Sequence, residues 1–319
     1  MKFLKQIVVY FFAFLSVFIF AASIAGYFGH YNRYLEFTNN FKLQYLILSV
    51  CVLCFWLFIR NYYWLFLSSL CFVLNLAVII PFCFPIQQQI INTQYESLKV
   101  LAFNVLHENT RYDDAINLVT DRRVDIAVFL EATPPWDSKL IALKKILPYH
   151  FSAKTLQIEI YSKYPLNNVR VELYGKNRGL VLSQLTVGKS NLIFVATHAC
   201  PQFYFGREGW EFRNRHLKQG IGQLGKLEQP IVVAGDLNVT MWSPQYKSMI
   251  ADSGLRNARY GFGILPTQSN YFPQFPWLAI PLDHFLVTED ILVNNLENSR
   301  NIGSDHLAII MDALIPSNI

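Results

Sequence analysis

The sequence predicts an α/β domain over residues 98–319, preceded by an all-α membrane region over 1–86 and a short link at 87–97. Three observations predict it. Charge is nearly absent from the first 96 residues, where only Lys2, Lys5, Arg33, Glu36, Lys42, Arg60 and Glu96 are ionisable Lys, Arg, Asp or Glu. Beyond them, apolar runs of strand length alternate with polar stretches of helical length, the pattern of helices covering sheet faces. Finally, many of those apolar runs end on Asn, Asp, Glu or His.

The excess hydrophobicity, 53% of residues with a mean hydropathy of +0.25, lies in the first segment. Residues 7–25 are almost wholly apolar, 43–59 form a second uncharged run, and 62–86 a third. Each is near the roughly 17–25 residues that a crossing requires, so three transmembrane helices are expected. Tyr27, Tyr31, Tyr34, Tyr62, Tyr63 and Trp64 sit near their ends, where amphipathic rings favour the interface. With Lys2, Lys5 and Arg60 on the cytoplasmic side, three spans place the C-terminal domain outside the cytoplasm. The first segment also resembles a signal peptide, and its cleavage would leave the same topology. Arg33 and Lys42 oppose this orientation. The link QQQIINTQYES, read as a flexible coil, reaches on the order of 20 Å, which keeps the domain near the bilayer.

Four cysteines, Cys51, Cys54, Cys71 and Cys83, lie among Leu, Phe and Trp of the apolar region and read as small buried residues; Cys200 stands alone in the domain. No disulfide framework follows. After Ser97 the chain carries 22 of its 27 Lys and Arg and 20 of its 22 Asp and Glu. That balance gives no basic surface of the kind polyphosphate backbones require.

Within the domain, strands are expected at 98–103, 124–130, 157–162, 169–174, 180–187, 191–197, 230–234, 281–288 and 307–313. Helices are expected at 112–122, opened by Asp113 and Asp114, and at 139–146, 209–227 and 243–251. Asn104 ends the first strand and Glu131 the second. His198 follows LIFVAT, Asp236 and Asn238 follow IVVAG, Asp283 opens DHFLV, and Asp305 and His306 precede LAIIM. A single Asn or Asp at a strand end usually closes a turn. Eight hard donors at one rim point to a site.

The stretches Asn104-Val105, Leu130-Glu131, Thr197-His198, Gly235-Asp236-Leu237-Asn238 and Ser304-Asp305-His306, in this order, resemble the endonuclease/exonuclease/phosphatase superfamily, the DNase I-like fold. The resemblance spans about 98–314. It implies a four-layer α/β sandwich, two mixed sheets flanked by helices, and metal-dependent hydrolysis of a phosphate ester in a membrane-anchored bacterial type. Phosphate esters repel hydroxide, so catalysis needs a cation and donors aimed at the phosphoryl oxygens. The implied ion is Mg²⁺, with Mn²⁺ as a substitute; Mg²⁺ takes oxygen ligands and only one or two carboxylates.

By the same resemblance Glu131 is the principal metal ligand, with Asn104 and Asp305. His306 stands beside the scissile phosphate, held by Asp283. Asp236 orients water or handles the leaving group's proton, Asn238 donates to a phosphoryl oxygen, and His198 is a donor or acid. Strand alternation sends His284 to the opposite face, a structural position. His107 and Asn109, in the loop after Asn104, either reach the expected site or form a plain solvated loop; Arg178 either contacts phosphate or, as the better reading, is a surface-turn cation; Arg213 and Arg215 read as a solvated helix face. Two aromatic loops flank the site: 201–212, with Phe203, Tyr204, Phe205, Trp210 and Phe212, and 270–281, with Tyr271, Phe272, Phe275 and Trp277. They either pack the sheet ends or grip an interfacial substrate.

Three functions compete: hydrolysis of lipid headgroup phosphates by a multi-pass protein of bacterial inner-membrane type with an extracytoplasmic domain, a tethered nuclease acting on DNA or RNA, and an inactive binding module. The filled site argues against the last.

Overall fold

The computed structural model describes residues 2–86, 88, 94–268 and 276–317. The three apolar runs are helices: α1 (Lys2–Ala25), α3 (Lys42–Ile59) and α4 (Tyr62–Ile79), with the short α2 (Arg33–Phe37) between the first two. With their extensions, Phe3–Phe28, Arg33–Ile59 and Tyr62–Cys83 are long and apolar enough to cross a membrane. The three pack around Ile19, Val52, Trp56 and Cys71. Of the four cysteines expected to be buried, only Cys71 is; Cys51, Cys54 and Cys83 are exposed.

Among the described residues twelve strands follow: β1 (Tyr95–Asn104), β2 (Ile126–Leu130), β3 (Tyr149–Ala153), β4 (Ile158–Ser162), β5 (Asn167–Gly175), β6 (Arg178–Val187), β7 (Ser190–His198), β8 (Ile231–Asp236), β9 (Arg256–Asn257), β10 (Asp283–Val287), β11 (Leu292–Asn298) and β12 (Ile309–Pro316). They make two six-stranded sheets, ordered β11-β12-β1-β2-β4-β3 and β5-β6-β7-β8-β10-β9. β1–β2 and β7–β8 are parallel and the remaining pairs antiparallel, so both sheets are mixed.

Period-two alternation builds the layers. Leu98, Val100 and Ala102 of β1 point between the sheets, as do Val232 and Ala234 of β8. Leu101 and Phe103 point outward beneath α5 (Tyr112–Arg122) and the turn α6 (Trp136–Lys139). Ile231 and Val233 point outward beneath α8 (Pro244–Ser253) and the segment after α7 (Arg207–Arg215). The result is a four-layer α/β sandwich of the DNase I-like kind.

Three strands had no signal in the apolar pattern. β3, β9 and β11 are edge strands; β9 has only two residues, and β11 reads LVNNLEN with a bulge between Val293 and Asn295. An edge strand needs apolar residues on one face only, so it shows no apolar run. The helix expected at 209–227 is also broken. After α7, a π-turn at His216–Gly220 and a 3₁₀ turn at Ile221–Lys226 carry the chain on, through Gly220, Gly222 and Gly225.

The helical region is docked on the domain rather than merely strung to it. Ile79 and Phe82 are buried with Trp242, Tyr246 and Ile264 in the outer layer of the second sheet. Gly261 and Gly263 donate backbone N–H groups to the Phe82 carbonyl at 3.0 and 2.8 Å, and Trp242 Nε1 donates to the Val78 carbonyl at 3.0 Å. Gln44 donates to the carbonyls of Trp277 and Ala279. Glu36, the only acidic residue before Glu96, is buried and receives hydrogen bonds from Arg213, Trp210 and Ser243. Arg213 is therefore no solvated cation: it is fully buried because an acid from outside the domain neutralises it. Of the link at 87–97, residues 87 and 89–93 lie outside the described residues.

Candidate active site

Strand register assembles one end of the sandwich. Asn104 pairs with Leu130, which places Glu131 just beyond it. In the other sheet His198 pairs with Asp236, and Asp236 with Asp283. The 304–306 turn is pinned to the first sheet by Ser304 Oγ, which donates to the Asn104 carbonyl at 2.7 Å and accepts from the His306 N–H at 3.0 Å. Gly235 is required where β7 and β8 converge, since a Cβ there would sit 1.9 Å from the Thr197 carbonyl oxygen.

Two site residues adopt the left-handed backbone region, Glu131 at φ 58° and Asn238 at φ 50°. Asn tolerates it, but for Glu the conformation costs on the order of 1 kcal/mol or more and persists only where the surroundings impose it. At Glu131 it turns the carboxylate into a cleft of about 710 Å³. That cleft is also lined by Asn104, Asp236, Asn238, Asp305 and His306, so six of the eight expected residues share it, while His198 and Asp283 lie directly beneath.

His306 Nδ1 and Asp283 Oδ2 are 2.7 Å apart and buried. Burial disfavours the imidazolium, yet the Asp283 carboxylate outweighs it and raises the His306 pKa to about 10. Burial likewise opposes ionisation of Asp283, and the His306 cation overcomes it, holding that carboxyl below its ordinary value. Asp236 is pushed up to about 7 by burial and by the neighbouring Asp283 charge. His306 Nε2 is 3.9 Å from Asp236 Oδ2. Asn238 braces Asp236: its N–H donates to Oδ1 at 2.7 Å, and its amide donates to Oδ2 and to the Ala199 carbonyl, both at 3.0 Å.

Glu131 has only long side-chain contacts among the described residues. Asn104 Nδ2 is 3.4 Å away, and Arg178, His198 and His107 each approach to 3.8 Å. His198 is fully buried with no hydrogen bond to either ring nitrogen, and its Nε2 faces Glu131 and Asp236 at 3.8 and 3.9 Å. Burial and the nearby Arg178 charge hold its pKa well below the ordinary imidazole value.

Other expectations resolve differently. Arg178 is a cleft residue with a side chain only 12% exposed, because β6 begins there and aims it at Glu131. Asn109 is buried and donates to the carbonyls of Val105 and Ile302, a structural role, whereas His107 lines the cleft. Arg215 is exposed as expected. His284 accepts at Nδ1 from the Arg259 guanidinium and donates from Nε2 to the Val239 carbonyl on the far face, also as expected. Phe203, Tyr204 and Phe205 are exposed on the cleft wall, while Trp210 turns away to Glu36. Tyr271, Phe272 and Phe275 lie outside the described residues; Trp277 is exposed.

Comparison with known proteins agrees with this geometry. The sequence matches the Endonuclease/Exonuclease/phosphatase family over residues 101–306. A D. rerio TDP2 humanized by 14 mutations superposes with a TM-score of 0.55 at 14% identity, covering 68% of this chain and 98% of that one. An endonuclease/exonuclease/phosphatase from Beutenbergia cavernae gives 0.55 at 19% identity, over 69% and 72%. Staphylococcus aureus beta toxin with bound magnesium ions gives 0.50 at 19% identity, over 69% and 100%. At these identities the likeness concerns the fold. No curated protein matches the chain.

Proposed function

The chain belongs to the endonuclease/exonuclease/phosphatase family, and from that premise we propose that it is a membrane-anchored, Mg²⁺-dependent phosphoesterase acting on lipid phosphate esters. The observation that carries the substrate reading is the docking: the cleft wall at Phe203 is in ring contact with Phe37, which ends α2 near the start of the second candidate span, Arg33–Ile59. A cleft held against the helix ends meets substrates at the bilayer surface before it meets soluble ones.

The residues fit a divalent cation. Glu131 is a half-buried carboxylate whose partners all stand at 3.4 Å or beyond among the described residues, so its lone pairs are available. Glu131 and Asp305 would hold Mg²⁺ or Mn²⁺ through hard oxygens. Asn104 is the weaker ligand, since its Nδ2 faces Glu131 and Asp236 while Oδ1 accepts from Leu106 N–H. A second cluster, Asp236, Asp283 and His306, has ligand atoms within 4.8 Å of one another. There Asp283 and His306 already satisfy each other, so that trio reads better as acid–base machinery. The cation supplies charge neutralisation at the phosphoryl oxygens when bound.

The chain's own residues do the rest. His306, held protonated by Asp283, donates from Nε2 to a phosphoryl oxygen. Asp236, its pKa raised to about 7, takes the proton of the attacking water; the water oxygen bonds to phosphorus as the ester P–O bond breaks, and Asp236 passes its proton to the leaving oxygen. Asn238 fixes the Asp236 carboxylate. His198, buried and neutral with unsatisfied nitrogens, offers a donor to a phosphoryl oxygen. Arg178 supplies a further cation at the same rim.

In this reading the domain is extracytoplasmic. Lys5 and Arg60 stand at the helix ends opposite those that meet the domain, as the positive-inside rule asks. Lys42, which argued the other way, is buried and donates to the Ser23 carbonyl, so it serves the fold. The full chain in detergent with Mg²⁺, assayed on DNA, RNA, sphingomyelin, glycerophospholipids and phosphoinositides, should hydrolyse a lipid. Selective cleavage of oligonucleotides with lipids untouched would replace this reading by a tethered nuclease.

A further inference from the structure

Beside the catalytic cleft lies a second, smaller cavity of about 190 Å³, and its walls come from both parts of the chain. Phe37, Asn40 and Phe41 belong to the helical region, whereas Phe203, Ile280 and Leu282 belong to the domain. The two cavities share Pro201, Phe203, Asn238 and Gln268 as lining, so they are neighbours across one wall. Asn238 braces the carboxylate of Asp236 from that shared wall.

The two arms differ in chemistry. Away from the helices the cleft is walled by Gln157, Lys176, Asn177 and Arg178, all polar or cationic. Toward the helices the walls are rings and aliphatic groups, with the amides of Asn40, Gln202 and Gln268 between them. The rings form a chain: Phe203 meets Phe37 edge-on at 5.1 Å between centroids, Phe37 meets Phe41 at 5.0 Å, and Phe41 leads into α3, which begins at Lys42. An apolar path thus runs from the phosphate site to the membrane-spanning surface.

We infer that this second cavity is the subsite for the apolar half of a lipid phosphodiester, from the group esterified to phosphate to the first carbons of its chains. The inference rests on the lipid reading of the active site and names how that substrate is selected. Amides beside rings match the join of a lipid, where ester or amide groups give way to hydrocarbon. The volume takes a few carbon-sized groups and no more, so the chains continue along the exposed faces of the helices into the bilayer. The polar arm takes the headgroup. The membrane region then completes the binding site as well as anchoring it.

The test uses the full chain in mixed detergent micelles with Mg²⁺ and two kinds of substrate. One is micellar phosphatidylcholine or sphingomyelin; the other is bis(4-nitrophenyl) phosphate, which has no chain. Phe37→Ser removes a ring from the path, and Asn40→Trp plugs the cavity from the helical side. Each variant should raise KM for the micellar lipid about tenfold, the worth of a few buried carbon groups, with kcat and hydrolysis of the chain-free diester unchanged. Unchanged lipid KM in both variants, or equal loss on both substrates in variants that keep the parent Tm, overturns the subsite. Should one variant lose its fold, the other decides. If the parent chain cleaves the chain-free diester but neither lipid, the lipid reading itself fails and takes the subsite with it.

Discussion

The Glu36–Arg213 and Asp283–His306 pairs are both buried, and their surroundings differ. At the junction, Glu36 is enclosed by Arg213, Trp210 and Ser243, and Arg213 spends its remaining donors on Gln202, Asn214 and the Asn238 carbonyl. Every charge has an answer within the protein. In the cleft, Asp283 and His306 also answer each other, but the groups around them are less settled: Asp236, though braced by Asn238, is crowded by other acids, Glu131 has only distant partners, and His198 makes no hydrogen bond among the described residues. Buried polar groups left unmatched are costly, so a fold keeps them where a ligand will match them. The junction is complete within the protein, whereas the cleft keeps groups that the protein does not match.

The contrast makes opposite predictions for the two pairs. Removing His306 or Asp283 with Ala should lower kcat by about 10²–10⁴, the range for a lost acid–base group. Because Asp283 acts through His306, the double variant should be little worse than the poorer single one. Losses that simply multiply in steady-state kinetics would separate the two residues. Glu36→Ala should do the reverse. It leaves Arg213 buried without its acid, a loss of about 3–5 kcal/mol, seen as a lower Tm in a detergent melt. Turnover of a soluble diester below that Tm should fall far less than in the His306 variant. Equal damage to kcat would show that the junction is part of the catalytic machinery.

Glu131→Gln probes the cleft from the other direction. It removes one negative charge near Asp236, so Tm should hold or rise while the Mg²⁺ needed for half-maximal rate increases about 10–100-fold. A variant that loses stability with an unaltered Mg²⁺ titration would show that Glu131 is structural.

The same contrast explains what could be read from the residues. Asn104, Glu131, His198, Asp236, Asp283 and His306 follow or open apolar strands, and strand ends in a layered sheet converge on one rim, so their grouping was legible. The central strands were legible too, because burial on both faces leaves continuous apolar runs such as IAVFL. Edge strands β3, β9 and β11 were not, since they are short or need only one apolar face. Nor was the junction. Arg213 lies on a helix full of charges, and nothing local marks it as buried; its partner is 177 residues away. Only the isolation of Glu36 among apolar residues hinted at it. Arg178 was misread for a related reason, as a turn sequence cannot tell which side of the turn faces a cleft.

The smallest effect expected concerns protons, and it again separates satisfied from unsatisfied groups. His216 is buried in the π-turn behind β7, 3.0 Å from Thr197 Oγ1 and stacked on Tyr174. Burial lowers its pKa from 6.5 to about 3, so it folds neutral, unlike His306. Between those two values the unfolded chain binds a proton that the folded chain refuses. Stability from this residue is therefore complete above pH 6.5 and declines as pH falls toward 3. One unit below the unfolded value, at pH 5.5, the loss is about 1.4 kcal/mol. His216→Gln keeps a partner for Thr197 and removes the titration. Its Tm should start lower at pH 7.5, then fall less steeply than the parent's between pH 6.5 and 5. Parallel curves over that range would mean that His216 takes its proton without unfolding, through an opening of the π-turn that the packed structure does not show.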